Sequence, residues 1–218
     1  MSVIFSDRTE AGRLLGAALR SLKNEYVILL AIPRGGVPVA KEAASAIGAP
    51  LDLIITHKIG APGNPELAVG AVTQEGEVIT NSGLVKRLRI TDDYLRSESL
   101  RQLGEIKSRM KKYRGDRPYP RLDGKTVVIV DDGVATGSTI QAAVRSVRRM
   151  NAARIVLAVP VAPPETVSEL SKMADQVICL STPERFHAVG QFYRELEQVE
   201  DEEVREILDS ASTDRQDR

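Results

Sequence analysis

The feature that most constrains the fold is a strand, loop and helix unit at residues 125–142, KTVVIVDDGVATGSTIQA. Its first five apolar or β-branched residues, 126–130, are typical of a short strand buried on both faces. Asp131 and Asp132 follow where that strand must end. Apolar residues then recur at helical spacing, at Ile140, Ala143, Val144 and Val147. The unit predicts an α/β sheet with two carboxylates at its edge.

The small residues between the acid pair and the helix predict an anion site. Hydroxyl groups at Thr136, Ser138 and Thr139, together with bare N–H groups at a helix N-terminus, attract phosphate. Two carboxylates repel phosphate, so we expect them to bind another part of the ligand, such as sugar hydroxyls or the water shell of a metal. A sugar phosphate combines both features. A Walker loop is excluded because no Lys precedes the Ser/Thr, and the glycine spacing excludes a dinucleotide fingerprint.

Residues 127–139, VVIVDDGVATGST, resemble the phosphoribosyl pyrophosphate (PRPP) motif of type I phosphoribosyltransferases. The resemblance implies a doubly wound, mostly parallel sheet flanked by helices, with a flap and a small hood from the terminal segments. It also implies that Asp131 and Asp132 are the catalytic pair, which holds the ribose hydroxyls and stabilises developing positive charge. The 5′-phosphate would be held by Ala135, Thr136, Gly137, Ser138 and Thr139. Mg²⁺ is the implied cofactor, carried by PRPP and waters without direct protein ligands.

A second loop follows the predicted strand 26–32 and precedes a predicted helix at 37–46. Alone, its glycines are more typical of a plain turn between strand and helix, but beside the 131–139 motif the resemblance assigns Arg34, Gly35 and Gly36 to pyrophosphate. The next apolar run, 51–56, ends before Lys58 at the sheet edge where open α/β folds bind ligands. The family often has a basic residue there, which implies that Lys58 also binds pyrophosphate. His57 receives no role.

The flap is predicted at about 59–121. It comprises a turn at 60–66, a hairpin of 67–73 with 77–80, an amphipathic helix at 91–113 and a Pro-rich connection at 114–121. The apolar stripe of the helix could pack on the core or on a second subunit. We expect the turn and the connection to be mobile and to become ordered with ligand. Arg114 and Arg117 are weaker site candidates.

Beyond the motif helix, predicted strands at 155–161 and 176–180 alternate with helices, which favours a doubly wound sheet. The segment 181–193 contains three of the eight Phe and Tyr residues, which are Phe186, Phe192 and Tyr193. They could form a hood that stacks on a base, or pack a helix at 201–208 onto the body. We predict one domain over 1–218, with a core at 26–180, a hood and helix at 181–210 and a tail at 211–218.

The composition gives no default macromolecular partner, because basic and acidic residues both number 30. The charge is uneven: residues 86–121 are rich in Lys and Arg, and residues 165–218 are rich in Asp and Glu. Such asymmetry can steer an anion, join two subunits or mark solvated helices. A single Cys179 excludes an internal disulfide. With no signal core and no apolar run near the ~20 residues of a membrane span, we expect a cytoplasmic protein.

The resemblance implies transfer of the 5-phosphoribosyl group from PRPP to a small nitrogen acceptor, expected to be a nucleobase, with release of pyrophosphate. We expect no membrane or nucleic-acid partner, and a homodimer is possible. One alternative is a PRPP- or nucleotide-sensing regulator that binds RNA through the basic 86–121 surface. Another is a PRPP-making diphosphotransferase, but no second nucleotide motif supports it. Relatives that act on 6-oxopurines commonly have an Asp at the Ala135 position, so hypoxanthine and guanine are predicted to be poor acceptors.

Overall fold

The main sheet places both predicted PRPP loops at its centre. The computed structural model describes residues 4–23 and 25–213. Its five parallel strands are β1 Val27–Ala31, β2 Leu51–Leu53, β6 Thr126–Val130, β7 Arg154–Val161 and β8 Gln176–Ser181, in the order β2-β1-β6-β7-β8. The order reverses between β1 and β6, the position at which open α/β sheets bind ligands. The predicted doubly wound, mostly parallel α/β fold is confirmed.

Helices cover both faces of this sheet. They are α1 Arg8–Ala18, α2 Gly36–Ile47, α3 Ser82–Arg87, α4 Asp92–Arg114, α5 Ser138–Arg149, α6 Pro164–Leu170 and α7 Asp201–Thr213. Because side chains alternate along a strand, Val128 and Val130 of β6 pack in the cluster that includes α1, α2, α4 and α7. Val127 and Ile129 pack in the opposite cluster with α5 and α6. Burial on both faces explains why this strand is apolar throughout.

A small antiparallel sheet follows β2 and consists of β3 His57–Ala61, β4 Asn64–Val72 and β5 Val78–Thr80. The predicted strand 51–56 is therefore too long, since β2 ends at Leu53 and a new strand begins at His57. The predicted turn at 60–66 narrows to the residues around Gly63, whose φ is +73°. Gly60 belongs to the ladder of this small sheet. A Cβ there would lie 2.6 Å from Pro65 Cα, so the close approach of the two strands requires glycine.

The connection at 114–121 is tied to the body of the protein. Arg114 Nε and Nη2 donate to the two Asp52 oxygens at 2.6 and 3.0 Å, and both side chains are buried. The Tyr119 hydroxyl donates to the Leu53 carbonyl at 2.8 Å. Arg117 donates to the carbonyls of Tyr113 and Leu208. Both arginines, the weaker site candidates, thus bind protein groups of the fold, and the mobility of the connection stays a prediction.

The two terminal segments meet beside the main sheet. Phe5 forms a bridge with Tyr193, and the Phe5 N–H donates to the Phe192 carbonyl at 2.8 Å. Phe5, Phe192 and Tyr193 are buried in one small cluster with Val161. Phe186, half-buried, stacks on Phe192 with ring centroids 5.1 Å apart. Phe192 and Tyr193 therefore pack onto the body, but against the N-terminal Phe5 and not against the terminal helix, whose Val204, Ile207 and Leu208 belong to a different cluster.

Candidate functional site

The loop between β6 and α5 has the geometry of an anion-binding helix start. Gly137 adopts a left-handed conformation with φ +74° directly before Ser138, the first residue of α5. A Cβ at Gly137 would also lie 3.3 Å from Thr166. No described side chain caps α5, so its first N–H groups face outward for a ligand. The loop is fixed from behind, where Thr166 Oγ1 donates to the Ala135 carbonyl at 2.7 Å and Thr56 Oγ1 to the Thr139 carbonyl at 3.0 Å.

The acid pair lies at the end of β6. The Asp132 N–H donates to Asp131 Oδ1 at 2.9 Å. Burial of the Asp131 carboxyl among protein atoms, and then the adjacent charge of Asp132, raise the pKa of Asp131 well above its ordinary value. Asp132 is held on two sides: its carboxylate binds Arg8 of α1 at 2.8 Å, and its carbonyl accepts from the Tyr193 hydroxyl at 2.6 Å. The terminal segments therefore fix the second acid.

The loop between β1 and α2 packs directly against the acid pair. The peptide bond between Pro33 and Arg34 is cis. A Cβ at Gly35 would overlap the Asp132 carboxylate, and one at Gly36 would lie 2.8 Å from the Val130 carbonyl oxygen. Only glycine fits at these two positions, because the backbone itself touches the end of β6. The structure thus brings Gly35 and Gly36 to the acid pair, as two neighbouring parallel strands allow.

The Arg34 side chain is directed towards the start of α7. Its Nη1 lies 3.6 Å from Asp201 Oδ1 and 3.9 Å from Glu200 Oε2, at the start of α7. Hydrogen bonds from Lys112 and Tyr113 of α4 lower the pKa of Asp201 to about 2. The predicted pyrophosphate arginine therefore has carboxylate partners, and one of these also joins α7 to α4.

A cavity of about 520 Å³ separates the loop of α5 from helix α4. It brings Lys58 of β3 together with three predicted phosphate ligands, Thr136, Ser138 and Thr139, and with Pro33 of the second loop. The acid pair does not line it. Sequence reasoning missed the opposite wall, formed by His57 and five α4 residues, Tyr94, Glu98, Arg101, Gln102 and Arg109. Their spacing of about three, four and seven residues could have revealed a polar helix face.

His57 joins this wall through a chain of hydrogen bonds. Its Nδ1 lies 2.7 Å from Gln102 Oε1, and Gln102 Nε2 donates to Glu98 Oε1 at 2.7 Å. Because the Gln102 amide nitrogen is used by Glu98, the network assigns the His57 proton to Nδ1. Desolvation, supported by the nearby charges of Arg109 and Arg101, lowers the pKa of His57 despite the bond to Gln102. The ring is neutral at pH 7 and its Nε2 is the acceptor.

Part of the uneven charge of the chain is matched within the fold. Several cations of the 86–121 region bind carboxylates: Lys112 binds Asp201 and Arg117 binds Asp209 at the start and end of α7, and Arg114 binds Asp52. The basic surface that RNA binding would require is reduced accordingly. In the chain between the described limits, no helix combines the length and apolar character needed to cross a bilayer.

Comparison with known proteins decides the family. The family model described as phosphoribosyl transferase domain matches residues 8–195, which include both loops and the acid pair. The chain belongs to the phosphoribosyl transferase family. Two proteins of Mycobacterium tuberculosis, from strains CDC 1551 / Oshkosh and ATCC 25618 / H37Rv, are named as candidate phosphoribosyl transferases and are 42% identical over 211 residues. The match covers 97% of this chain and 48% of each relative, so the chain spans about half the length of these relatives.

A solved structure supports the same assignment. The protein TT1426 from Thermus thermophilus, whose crystal structure is known, is 44% identical in sequence to this chain. The superposition covers 94% of this chain and 98% of the other, with a TM-score of 0.82. The similarity therefore extends beyond the two loops to the small sheet and the helices around it.

Proposed function

We propose that the protein transfers the 5-phosphoribosyl group of PRPP to a nitrogen acceptor, with a nucleobase as the expected class, and releases pyrophosphate. One observation carries this proposal: the two loops that resemble PRPP-binding segments meet where the strand order of the sheet reverses, with Gly35 against Asp132. A ligand with phosphates at both ends and a sugar between them matches two anion loops separated by an acid pair.

The proposed roles follow the positions of the residues. The backbone and hydroxyl groups of residues 135–139 hold the 5′-phosphate, and Gly35, Gly36 and Lys58 hold pyrophosphate. Asp131 and Asp132 hold the ribose hydroxyls and stabilise the positive charge that develops on the sugar as pyrophosphate leaves. Arg34 joins the pyrophosphate site when it leaves Asp201 and Glu200.

Magnesium suits this arrangement. The neighbouring carboxylates of Asp131 and Asp132 are hard oxygen groups of the kind that Mg²⁺ prefers, directly or through its waters. We place the ion on PRPP oxygens, with the acid pair contacting its water shell. When bound, Mg²⁺ supplies positive charge to the departing pyrophosphate.

The acceptor is constrained by Ala135. Its methyl group neither forms a hydrogen bond nor exchanges a proton, and its carbonyl already accepts from Thr166. A purine placed beside it lacks general acid–base help, which is typically worth about 10²- to 10⁴-fold in rate. We therefore expect hypoxanthine and guanine to be poor acceptors. Turnover of either with kcat/KM of about 10⁵ M⁻¹s⁻¹ or more, well within the usual enzyme range, would contradict this.

Calorimetry with PRPP and Mg²⁺ tests the donor site. The double substitution Asp131→Asn/Asp132→Asn should weaken PRPP binding at least about tenfold, because each lost charge-assisted hydrogen bond is worth about 1.5 to 3 kcal/mol. The matched control is Asp92→Asn/Asp93→Asn, an exposed acid pair at the start of α4. Equal affinity in the two double variants would refute the assignment. A screen of free nucleobases that follows pyrophosphate release would then identify the acceptor.

A further inference from the structure

The cavity between α4 and the phosphate loop has a charge that no role assigned so far uses. Among the side chains that the structure describes, its lining includes two arginines without a role so far, Arg101 and Arg109, beside Lys58 and one carboxylate, Glu98. Its volume of about 520 Å³ lies within the range of about 300 to 1,000 Å³ typical of small-molecule sites. Thr136, Ser138 and Thr139 form the wall that faces α4. The two arginines of α4 therefore line a cavity that also borders the proposed 5′-phosphate loop.

The carboxylate of Glu98 does not neutralise all the positive charge on the α4 wall of this cavity. Glu98 accepts two hydrogen bonds from Arg101, at 2.6 and 2.9 Å, and a third from Gln102. Its charge is therefore matched by Arg101. His57 adds no charge, because its lowered pKa keeps the ring neutral at pH 7. The positive charge that remains on the α4 wall belongs to Arg109.

Arg109 has the properties of a side chain that binds an anion. Its side chain is exposed and lines the cavity. Within residues 4–23 and 25–213, the structure shows no hydrogen bond or ion pair between Arg109 and a carboxylate. Other cations of the same helix, Lys112 and Arg114, do have acid partners. A guanidinium presents a planar fork of donors that matches phosphate oxygens in pairs.

We propose that α4 forms the second wall of the donor-phosphate site and that Arg109 binds a phosphate group of PRPP. This inference rests on the proposed function, since a donor that spans Pro33 and residues 136–139 must cross the cavity that Arg109 lines. Arg101 is a positioning residue, which holds Glu98 and through it Gln102 and His57. The bound group is a phosphate, and either end of the donor can supply it.

Calorimetry with three probes tests the proposal and identifies the phosphate. Arg109→Ala should weaken PRPP binding, with Mg²⁺ present, by about tenfold or more. If pyrophosphate loses affinity and ribose 5-phosphate does not, Arg109 binds the diphosphate; the reverse result places it on the 5′-phosphate. The matched control is Lys107→Ala, an exposed cation of the same helix that does not line the cavity. The affinities of Lys107→Ala for the three probes should stay within about twofold of the wild-type values.

The outcomes separate this proposal from the proposed function. If the wild type binds PRPP and Arg109→Ala binds it equally well, the role of Arg109 is overturned and the proposed function stands. If the wild type does not bind PRPP, the proposed function fails and the inference fails with it. Because Arg109 is exposed, Arg109→Ala should keep the wild-type unfolding temperature, and an unchanged value shows that a lost affinity is not a folding defect.

Discussion

Arg8 and Asp132 are joined by a hydrogen bond from Nε and an ion-pair contact from Nη2, both of 2.8 Å to one carboxylate oxygen, although 124 residues separate them in the chain. Both side chains are only 15% exposed, so solvent screens the pair weakly. Arg8 also donates to the Glu197 carbonyl at 2.6 Å, which ties it to the C-terminal segment. A ribose hydroxyl that binds Asp132 must share this carboxylate with Arg8 or replace it.

Replacing Arg8 should strengthen donor binding. In Arg8→Gln the carboxylate of Asp132 loses its resident cation, and we expect the affinity for PRPP with Mg²⁺ to rise about threefold or more, measured by calorimetry. Arg13→Gln, on the same helix and more exposed, is the matched control and should leave the affinity unchanged. Weaker binding in Arg8→Gln would show instead that Arg8 positions Asp132 for the sugar.

Asp131→Asn should stabilise the protein while it weakens donor binding. The raised pKa of Asp131 means that the folded state binds the proton more tightly than the unfolded state. Stability is therefore lost as the pH rises from about 3.8, the ordinary value, through the folded pKa. Asn removes this loss, and we expect a gain of about 0.5 to 2 kcal/mol in the free energy of unfolding at pH 7. In urea unfolding, the gain in the free energy of unfolding should shrink as the pH falls towards 4. A gain that does not change with pH would contradict the proposed titration of Asp131.

His57 should make stability depend on pH in the opposite direction. Its pKa is lowered in the folded state, so the unfolded state takes up a proton first when the pH falls below 6.5. The wild type should therefore lose more stability between pH 7.5 and 5.5 than His57→Gln, as measured by urea unfolding. His187→Gln, at an exposed position, is the matched control. Parallel pH profiles for the wild type and His57→Gln would refute the assignment.

The buried pair of Arg114 and Asp52 should be the most costly ion pair to break. Arg114→Met leaves the Asp52 carboxylate buried without its cation, and we expect the free energy of unfolding to fall by about 3 to 5 kcal/mol. Arg13→Met breaks a contact to Glu42 in which Arg13 is 72% exposed, and should cost about 0 to 1 kcal/mol. Denaturant unfolding of the two variants measures the difference. Equal losses would mean that Asp52 gains water or another partner.

Local patterns predicted the centre of the fold and missed contacts between distant segments. The apolar strand at Thr126–Val130, its acids and the small-residue loop are contiguous, so the strand, the sheet edge and the helix start after the loop could all be predicted from them. The end of β2 could not, because Ile54 and Ile55 continue the apolar run and are buried outside the strand. These two residues are buried by packing of the loop after β2, and not by the alternation of side chains along a strand.

Long-range polar partners were also beyond prediction. An acid within the apolar run at Asp52 signals a buried partner, since a charge inside a core needs one. Nothing local indicates that this partner is Arg114, 62 residues away. The polar face of α4 was obscured in a similar way, because the basic residues of that helix read equally well as a solvated surface.

The position of Arg34 implies that diphosphate binding, under the proposed function, exchanges one set of ionic partners for another. The guanidinium already faces Asp201 and Glu200, so the measured free energy is the difference between two sets of contacts. Acid does not remove the charge of Asp201 within the usual range of assays, because the pKa of Asp201 is about 2. If the loop binds diphosphate as proposed, the carboxylates at the start of α7 compete with the ligand for Arg34, and the affinity then depends on that helix as much as on the loop.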